Sequence, residues 1–212
     1  MRFLYVAPRY HTNQVPIIRG LKRKGHEVCF LSQYAGKVED YSDLTPTVIG
    51  YSGFFLFFDR IYMALMKNRD AYAGDRKMKC GFPPIGKLKR AIRDSHGDVA
   101  VLRERSVYSI CAYLLCKKYK IPAILYNQSP LWEDCIKNDP AHRLMRLLTP
   151  TVRMTPVMGV QDDRKVKEPG AAFVPFVMEP EQKAEEKRWI KNGITHIFSI
   201  GKYEERKNHR ML

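Results

Sequence analysis

The sequence of 212 residues predicts an α/β fold built on a doubly wound parallel sheet. Short apolar runs alternate with longer stretches whose apolar residues recur at helical spacing, which is the pattern of strand–helix–strand units. Glycine and proline stand where these stretches change type. Parallel strands need a crossover of about a dozen or more residues, and the gaps between successive runs meet that requirement.

The first unit covers residues 3–31. Residues 3–7 form an apolar run that ends at Pro8, and the stretch 15–24 (VPIIRGLKRK) has apolar positions at helical spacing. Gly25 stands where a left-handed helix cap is expected, and a second apolar run follows it. The right-handed crossover rule places this helix on one face of the sheet.

The pattern returns after Asp98. Strand candidates at 99–102 and 123–126 flank an apolar helix at 109–118. Shorter strand candidates follow at 152–155 and 172–175, with a polar loop expected at 161–170. Together these segments predict one doubly wound domain over residues 1–175.

The composition changes after Pro175. A charged stretch predicts a linker over 176–193, and a fresh strand ending at Gly201 predicts the first strand and helix start of a second domain over 194–212. Only 11 residues follow Gly201, fewer than a βαβ unit needs. We therefore expect the second domain to be truncated.

Composition and charge narrow the class of protein. A hydrophobic fraction of 45% and a charged fraction of 28% are typical of a globular chain. The net charge of +15 predicts an anionic partner, which leaves nucleic acid, membrane headgroups and phosphorylated small molecules open. Five cysteines, mostly in apolar runs, predict buried free thiols in a reducing cytosol. No signal peptide, transmembrane helix or zinc-ligand spacing is present, so we expect a cytoplasmic protein without a structural metal.

Ligands of open parallel sheets bind beyond the carboxyl ends of the strands. The first such loop, PRYHTNQ, precedes a helix whose positive end attracts anions, which makes His11, Thr12 and Asn13 candidate contacts. His11 is either a general base or phosphate contact, or a loop histidine bonded to a neighbouring carbonyl.

Two arginines follow the next strand. Alternation turns Arg103 and Arg105 to the same side, where they could bind a carboxylate or phosphate in a bidentate way. An internal ion pair with Glu104 or Asp134 is the other interpretation. Asn127 follows the strand after that and is a candidate for hydrogen bonds to sugar hydroxyls, although a plain turn would have the same composition.

The segment GKYEERKN at 201–208 has a glycine at the end of a predicted strand, followed by several cations. Glycine lets a backbone approach a diphosphate closely, and the cations then neutralise it. A solvated turn with a charge run is the alternative.

The order of these segments resembles that of the retaining glycosyltransferases of family 4. The segments are MRFLYVAPRY with LKRKGHEVCFLS, DVAVLRERS with CKKYKIPAILYNQSP, TPVMG, FVPFVMEP and HIFSIGKYEERKNH. In that family two Rossmann-like domains face each other across a cleft, in the GT-B fold. The nucleotide-sugar donor lies mainly on the second domain and the acceptor on the first.

The resemblance implies sugar transfer with retained anomeric configuration, without a metal or other cofactor. The implied acceptor is a glycan, a lipid-linked molecule or a small molecule. Lys202 and Lys207 match the basic pair that grips the donor diphosphate, with Arg206 beside them and Gly201 before them. Their charge would stabilise the leaving nucleotide.

The chain also departs from the family pattern. HTNQ replaces the paired glycines common in the first loop, so Thr12 and Asn13 are candidates by position alone. Arg103 stands where many members have a histidine. The carboxylate-bearing motif of the second domain lies beyond Leu212, so we expect little activity from this chain alone.

Two other functions remain open. A sugar-nucleotide epimerase of the same two-domain architecture is the nearest enzymatic alternative. A non-catalytic basic nucleic-acid-binding module fits the charge, but no nucleic-acid-binding motif is present, so we expect no specific nucleic-acid partner.

The segment 53–94 combines the run GFFLFF with many cations; ten Lys and Arg stand between residues 60 and 94. This composition suits peripheral contact with a membrane, where apolar insertion and anionic lipids act jointly. A core helix followed by a solvated basic loop is the alternative.

Overall fold

The computed structural model describes residues 1–36, 41–66, 73–104, 106–127, 140–156, 171–175, 190–191 and 194–195. The chain divides into two compact units, Met1–Val177 and Met178–Leu212. In the second unit the described residues form one short antiparallel pair, β8 (Ile190–Lys191) and β9 (Ile194–Thr195). Most of the predicted linker and of the strand ending at Gly201 lie outside the described residues.

The first unit alternates strands and helices. Its described strands are β1 (Arg2–Ala7), β2 (Glu27–Ser32), β3 (Thr47–Val48), β4 (Val99–Arg103), β5 (Ala123–Tyr126), β6 (Arg153–Thr155) and β7 (Ala171–Phe173). Its described helices are a 3-10 turn (Thr12–Gln14), α1 (Val15–Arg23), α2 (Gly53–Leu65), α3 (Ala73–Cys80), α4 (Ile85–Asp94), α5 (Val107–Lys118) and α6 (Pro140–Leu148).

The strands of the first unit form one sheet in the order β3-β2-β1-β4-β5-β6-β7, and every described pairing in it is parallel. This is the order of a doubly wound, Rossmann-like sheet, in which the direction of winding reverses between the first and fourth strands. The predicted fold class is confirmed.

The core lies on both faces of the sheet because β1 is buried on both of its sides. Leu4 and Val6 face a cluster that includes residues of α4 and α5, among them Leu88, Tyr108 and Ala112. The alternate residues Tyr5 and Ala7 face a second cluster, which includes Val15 and Ile18 of α1. Successive strand residues point to opposite faces, so helices must cover both.

Local signals fix the helix ends. Gly25 has φ +77°, which places the predicted glycine in the left-handed conformation after α1. Ser52 caps α2 by accepting the Phe55 N–H at 3.2 Å, and Ser106 caps α5 by accepting the Ser109 N–H at 3.1 Å. Serine is favoured there because its hydroxyl satisfies an amide that the helix leaves unpaired.

The segment 53–94 differs from the expectation of a core helix followed by a loop. Its first helix, α2, is largely exposed, and the basic stretch after it contains two further helices, α3 and α4. The apolar composition of α2 predicts a core helix, but composition alone does not determine which side of a helix is buried. Cys80 is also exposed, contrary to the expectation of buried thiols.

The buried side chain of Gln33 joins several loops at the carboxyl edge of the sheet. Its Nε2 donates to the Gly81 carbonyl at 2.8 Å, and its backbone N–H donates to the Pro8 carbonyl at 2.9 Å. Its own carbonyl accepts the Gly50 N–H at 3.1 Å. The loops after β1, β2 and β3 are therefore tied to the turn between α3 and α4.

We predict that Gly81→Ala destabilises the protein by about 1–3 kcal/mol, because an added methyl group has no room. A Cβ at this position would lie 2.7 Å from Gln33 Nε2, and closer still to the Lys77 carbonyl oxygen and the Tyr51 ring. The backbone carbonyl has little freedom to move away. The free energy of unfolding from urea titration followed by circular dichroism measures the effect.

Gly20→Ala is the matched control. This glycine lies inside α1, and a Cβ there would have nothing within 4 Å. Alanine should stabilise the helix by about 0.5–1 kcal/mol. If Gly81→Ala has the same urea midpoint as the wild type, residue 81 is not as closely packed as described above.

Candidate functional site

The carboxyl ends of β1 and β4 form the topological switch point of the sheet, where doubly wound folds bind ligands. Three segments follow these and the adjacent strands at that edge: the loop 8–14 after β1, the loop from Gln33 after β2, and Glu104 after β4. Because the strands are parallel, all three lie at one edge. The candidate site is this edge.

Two arginines follow or end the strands that form the switch point. Arg9 follows β1, and Arg103 ends β4 beside its β5 register partner Tyr126. Burial lowers the pKa of Arg103; Tyr126 opposes this shift, the charge of Arg9 adds to it, and Tyr34 opposes it again. Arginine remains a cation at neutral pH. Both arginines therefore add positive charge to this edge, where an anion would be attracted.

The first loop is ordered by its own side chains. The His11 ring Nδ1 accepts the Asn13 N–H at 3.3 Å, and the His11 carbonyl accepts the Gln14 N–H at 2.8 Å. The Gln14 side chain completes a capping box by accepting the His11 N–H at 2.9 Å. The ring thus accepts locally from a backbone N–H, while Thr12 and Asn13 are exposed. The roles of these three predicted residues toward a ligand stay predictions.

A buried ion pair lies beside this edge. Glu104 Oε1 accepts from Arg153 Nε at 2.9 Å, and Glu104 Oε2 accepts from Asn127 Nδ2 at 2.5 Å. Arg153 also donates to the Thr149 carbonyl and hydroxyl, both at 3.1 Å, and to the Thr151 carbonyl at 3.2 Å. The side chains of Arg153 and Glu104 are only 5% and 8% exposed. This network fastens the ends of β4 and β5 to the start of β6.

The network bears on two sequence predictions. Glu104 was one candidate partner for Arg103 or Arg105, and the structure pairs it with Arg153; Arg105 and Asp134 lie outside the described residues. Asn127, predicted to contact sugar hydroxyls, is buried and donates its amide nitrogen to Glu104. Its role toward a sugar stays a prediction.

The predicted diphosphate-binding group falls outside the described residues, and its role stays a prediction. It comprises Gly201, Lys202, Arg206 and Lys207.

Sequence reasoning did not single out Arg9 or Arg153. The rule that ligands lie beyond strand ends selected the loop from Arg9 to Gln14, but the candidates taken from that loop were His11, Thr12 and Asn13. Arg153 is 49 residues from Glu104, and nothing local in the sequence connects the two.

Metal and membrane features were searched in the part of the chain that the structure describes. No group of three or more His, Cys, Asp and Glu side chains there could hold a metal ion. Of the helices described, none has both the length and the apolar character that crossing a bilayer requires.

No family model matches the chain, and no curated protein matches it. Solved structures with a similar fold include the UDP-GlcNAc 2-epimerase of Methanocaldococcus jannaschii, with a TM-score of 0.39, 11% identity, and coverage of 74% of this chain and 40% of that one. The S. aureus MnaA–UDP structure has a TM-score of 0.43 and 10% identity, covering 74% and 38%. The calicheamicin glycosyltransferase CalG4 has a TM-score of 0.48 and 14% identity, covering 85% and 54%.

The chain therefore spans about half or less of the length of these proteins. At such identities and TM-scores the likenesses do not assign a family. What the structure establishes is a doubly wound α/β unit with Arg9 and Arg103 at the carboxyl edge of its sheet.

We predict that Arg153→Met lowers the free energy of unfolding by about 3–5 kcal/mol, because it leaves the buried Glu104 charge without its partner. Arg93→Met is the control, since Arg93 pairs with Asp94 on the surface with both side chains more than half exposed. That change should stay within about 0.5 kcal/mol. Urea titration gives the free energy of unfolding of each variant. Equal values for the two variants would contradict a buried ion pair between Arg153 and Glu104.

Proposed function

We propose that this protein is a retaining glycosyltransferase that moves a sugar from a nucleotide-sugar donor to an acceptor without a metal or other cofactor. The observation that carries the proposal is the placement of Arg9 after β1 and Arg103 at the end of β4, at the switch point of a doubly wound sheet. Phosphate groups bind at such edges, and the guanidinium fork matches phosphate oxygens in a bidentate way. The order of sequence segments that resembles family 4 also supports it.

In this proposal the first unit is the acceptor-side half of a GT-B fold. Arg103 and Arg9 hold an anionic group of the bound substrates, and the loop of His11, Thr12 and Asn13 faces the acceptor. The domain bounds are 1–175, the linker 176–193 and the donor-side segment 194–212.

The donor diphosphate is bound by Lys202, Arg206 and Lys207, with Gly201 allowing close approach of the backbone. Negative charge grows on the leaving nucleoside diphosphate as the bond between its terminal phosphate oxygen and the anomeric carbon of the sugar breaks. Fixed cations stabilise that charge in the transition state, so the reaction needs no divalent ion. Added chelator should leave the rate unchanged.

The proposed partners are the nucleotide-sugar and a glycan, lipid-linked or small-molecule acceptor. We place the protein in the cytoplasm, with peripheral membrane contact through residues 53–94. No specific nucleic acid is part of the proposal.

The products separate this activity from its alternatives. Sugar transfer releases a free nucleoside diphosphate and forms a glycoside with the anomeric configuration of the donor. Epimerisation changes the sugar while the nucleotide stays attached. Proton NMR of reaction mixtures that contain the protein, a nucleotide-sugar and an acceptor distinguishes the two activities. A salt-dependent mobility shift of random-sequence DNA, without any nucleotide-sugar effect, would favour the nucleic-acid-binding module.

We predict that Arg103→Met weakens binding of nucleoside diphosphates and their sugar conjugates by about tenfold or more, because it removes a charge-assisted hydrogen bond. Isothermal titration calorimetry measures the dissociation constants. Circular dichroism confirms that the variant is folded.

Lys118→Met removes the same charge at the end of α5, an exposed position at the opposite edge of the sheet. It should leave the affinity within about twofold, since surface charges more than a Debye length apart are screened. Equal losses in the two variants would reduce the effect to net charge and remove the support for a site at Arg103.

A further inference from the structure

Helix α2 presents a continuous apolar surface to its surroundings. Five large side chains recur at i, i+3, i+4, i+7 and i+11, a spacing that places them on one side of a helix. They are between 41% and 77% exposed. We call this surface the outward face of α2; it comprises Phe54, Phe57, Phe58, Ile61 and Leu65.

The inner side of the same helix carries a buried carboxylate. Asp59 forms ion pairs with Arg76 and with Lys77 of α3, the latter at 2.9 Å between Nζ and Oδ2. The Arg76 guanidinium also lies 4.2 Å from the centre of the Tyr62 ring. Burial raises the pKa of Asp59, but the hydrogen bonds and charges of Lys77 and Arg76 outweigh that effect and hold the pKa below its usual range. The carboxylate of α2 therefore faces inward while five large apolar side chains face outward, the reverse of what is usual for a surface helix in water.

The apolar surface extends beyond α2. The Ser52 N–H at the start of α2 donates to the Phe82 carbonyl at 2.8 Å, which places the turn between α3 and α4 against the helix. Phe82 of that turn and Ile85 at the start of α4 are also exposed. Ring contacts at 4.7 Å between Phe54 and Phe58, and at 5.5 Å between Phe57 and Phe58, join the three phenylalanines of the outward face.

The segment that carries this surface is strongly basic. The segment 53–94 holds ten Lys and Arg against four Asp. Arg60 on α2, Lys79 on α3, and Lys89 and Arg90 on α4 are all exposed. An anionic surface would be attracted by these charges while the apolar side chains insert.

Charge and apolarity together select the occupant. A nucleic acid would satisfy the cations but leave the five apolar side chains in water. A second copy would cover the apolar side chains but bring two basic surfaces together, which repel. An anionic lipid bilayer satisfies both, and α2, with 13 residues, is shorter than the about 20 needed to cross it. The helix would lie in the plane of the interface.

We infer that the outward face of α2 docks on an anionic lipid bilayer, with α2 parallel to the membrane and the cations of α3 and α4 at the headgroups. This inference specifies the residues and the lipid chemistry of the peripheral contact, and it stands whether or not the protein transfers sugar.

The start of α2 is hydrogen-bonded to loops at the candidate site. Gln33, which follows β2, donates from Nε2 to the Gly81 carbonyl at 2.8 Å, and the neighbouring Phe82 carbonyl accepts the Ser52 N–H at 2.8 Å. An amphiphilic substrate held at the headgroups would therefore approach the same edge of the sheet; this last step rests on the proposed function.

Vesicle sedimentation tests the docking surface directly. The probes are vesicles of phosphatidylcholine with phosphatidylglycerol and vesicles of phosphatidylcholine alone. The wild-type chain should sediment with the first, less with the second, and less as salt is raised. The triple variant Phe57→Ser, Ile61→Ser and Leu65→Ser should lose at least about tenfold in partition coefficient, because three insertable side chains are gone.

Leu147 on α6 provides the matched control, since it is 76% exposed and Leu65 is 77% exposed. Leu147→Ser should change partitioning by less than about twofold, as expected for an apolar residue outside the docking surface. Circular dichroism checks that each variant is folded. If the triple variant does not fold, Leu65→Ser alone should still lower partitioning more than Leu147→Ser does.

Three outcomes would overturn the inference. Wild-type protein that stays in the supernatant with anionic vesicles at low salt rules out docking. Equal partitioning of the wild type and the folded variant removes α2 from it. A concentration-dependent dimer in sedimentation velocity that the triple variant abolishes would assign the outward face to a second copy. None of these measurements involves nucleotide-sugars. A result against membrane docking would therefore leave the proposed enzyme activity untouched.

Discussion

The burial of β1 on both faces is the constraint from which the rest of the first unit follows. Four consecutive residues, Leu4 to Ala7, are almost fully removed from solvent. Such a strand needs a neighbour on each edge and helices above and below it, and a parallel sheet wound in both directions supplies these. The loop after β1 then lies where the winding reverses, so the packing of β1 places the segment from Arg9 to Gln14 at the carboxyl edge of the sheet.

Adjacent residues at the end of β4 serve different needs. Both carboxylate oxygens of Glu104 are occupied, one by Arg153 and the other by Asn127. Its charge is therefore compensated within the protein beside Arg103. A buried pair of this kind contributes little net stability, because removing two charges from water costs about as much as their attraction returns. Its effect is geometric: three strand ends are fixed in register beside the candidate site.

The sequence was sufficient for those parts of the fold that depend on local patterns. β1, β2, β4 and β5 are apolar runs, and Gly25 marks the end of α1 by its backbone freedom. Other elements were missed. β3 has two residues, too few for any period, and α6 begins at a proline after a stretch without clear signals. α3 and α4 lie in the basic stretch for which a solvated loop was one of two interpretations. The pairing of Glu104 with Arg153 depends on chain folding over 49 residues. The rule that ligands lie beyond the carboxyl ends of strands selected Arg103 and the first loop of the candidate site. It could not predict that Glu104 pairs with Arg153.

The placement of Asp59 has a consequence for how the orientation of α2 is encoded. A helix with large apolar residues on nearly every side has little intrinsic preference for rotation about its own axis, because several faces could be buried at similar gain. One carboxylate on the inner side breaks this degeneracy, since only one rotation brings it to Arg76 and Lys77. The rotation of α2 about its axis is thus set by the ion pairs between Asp59 and two cations on the next helix.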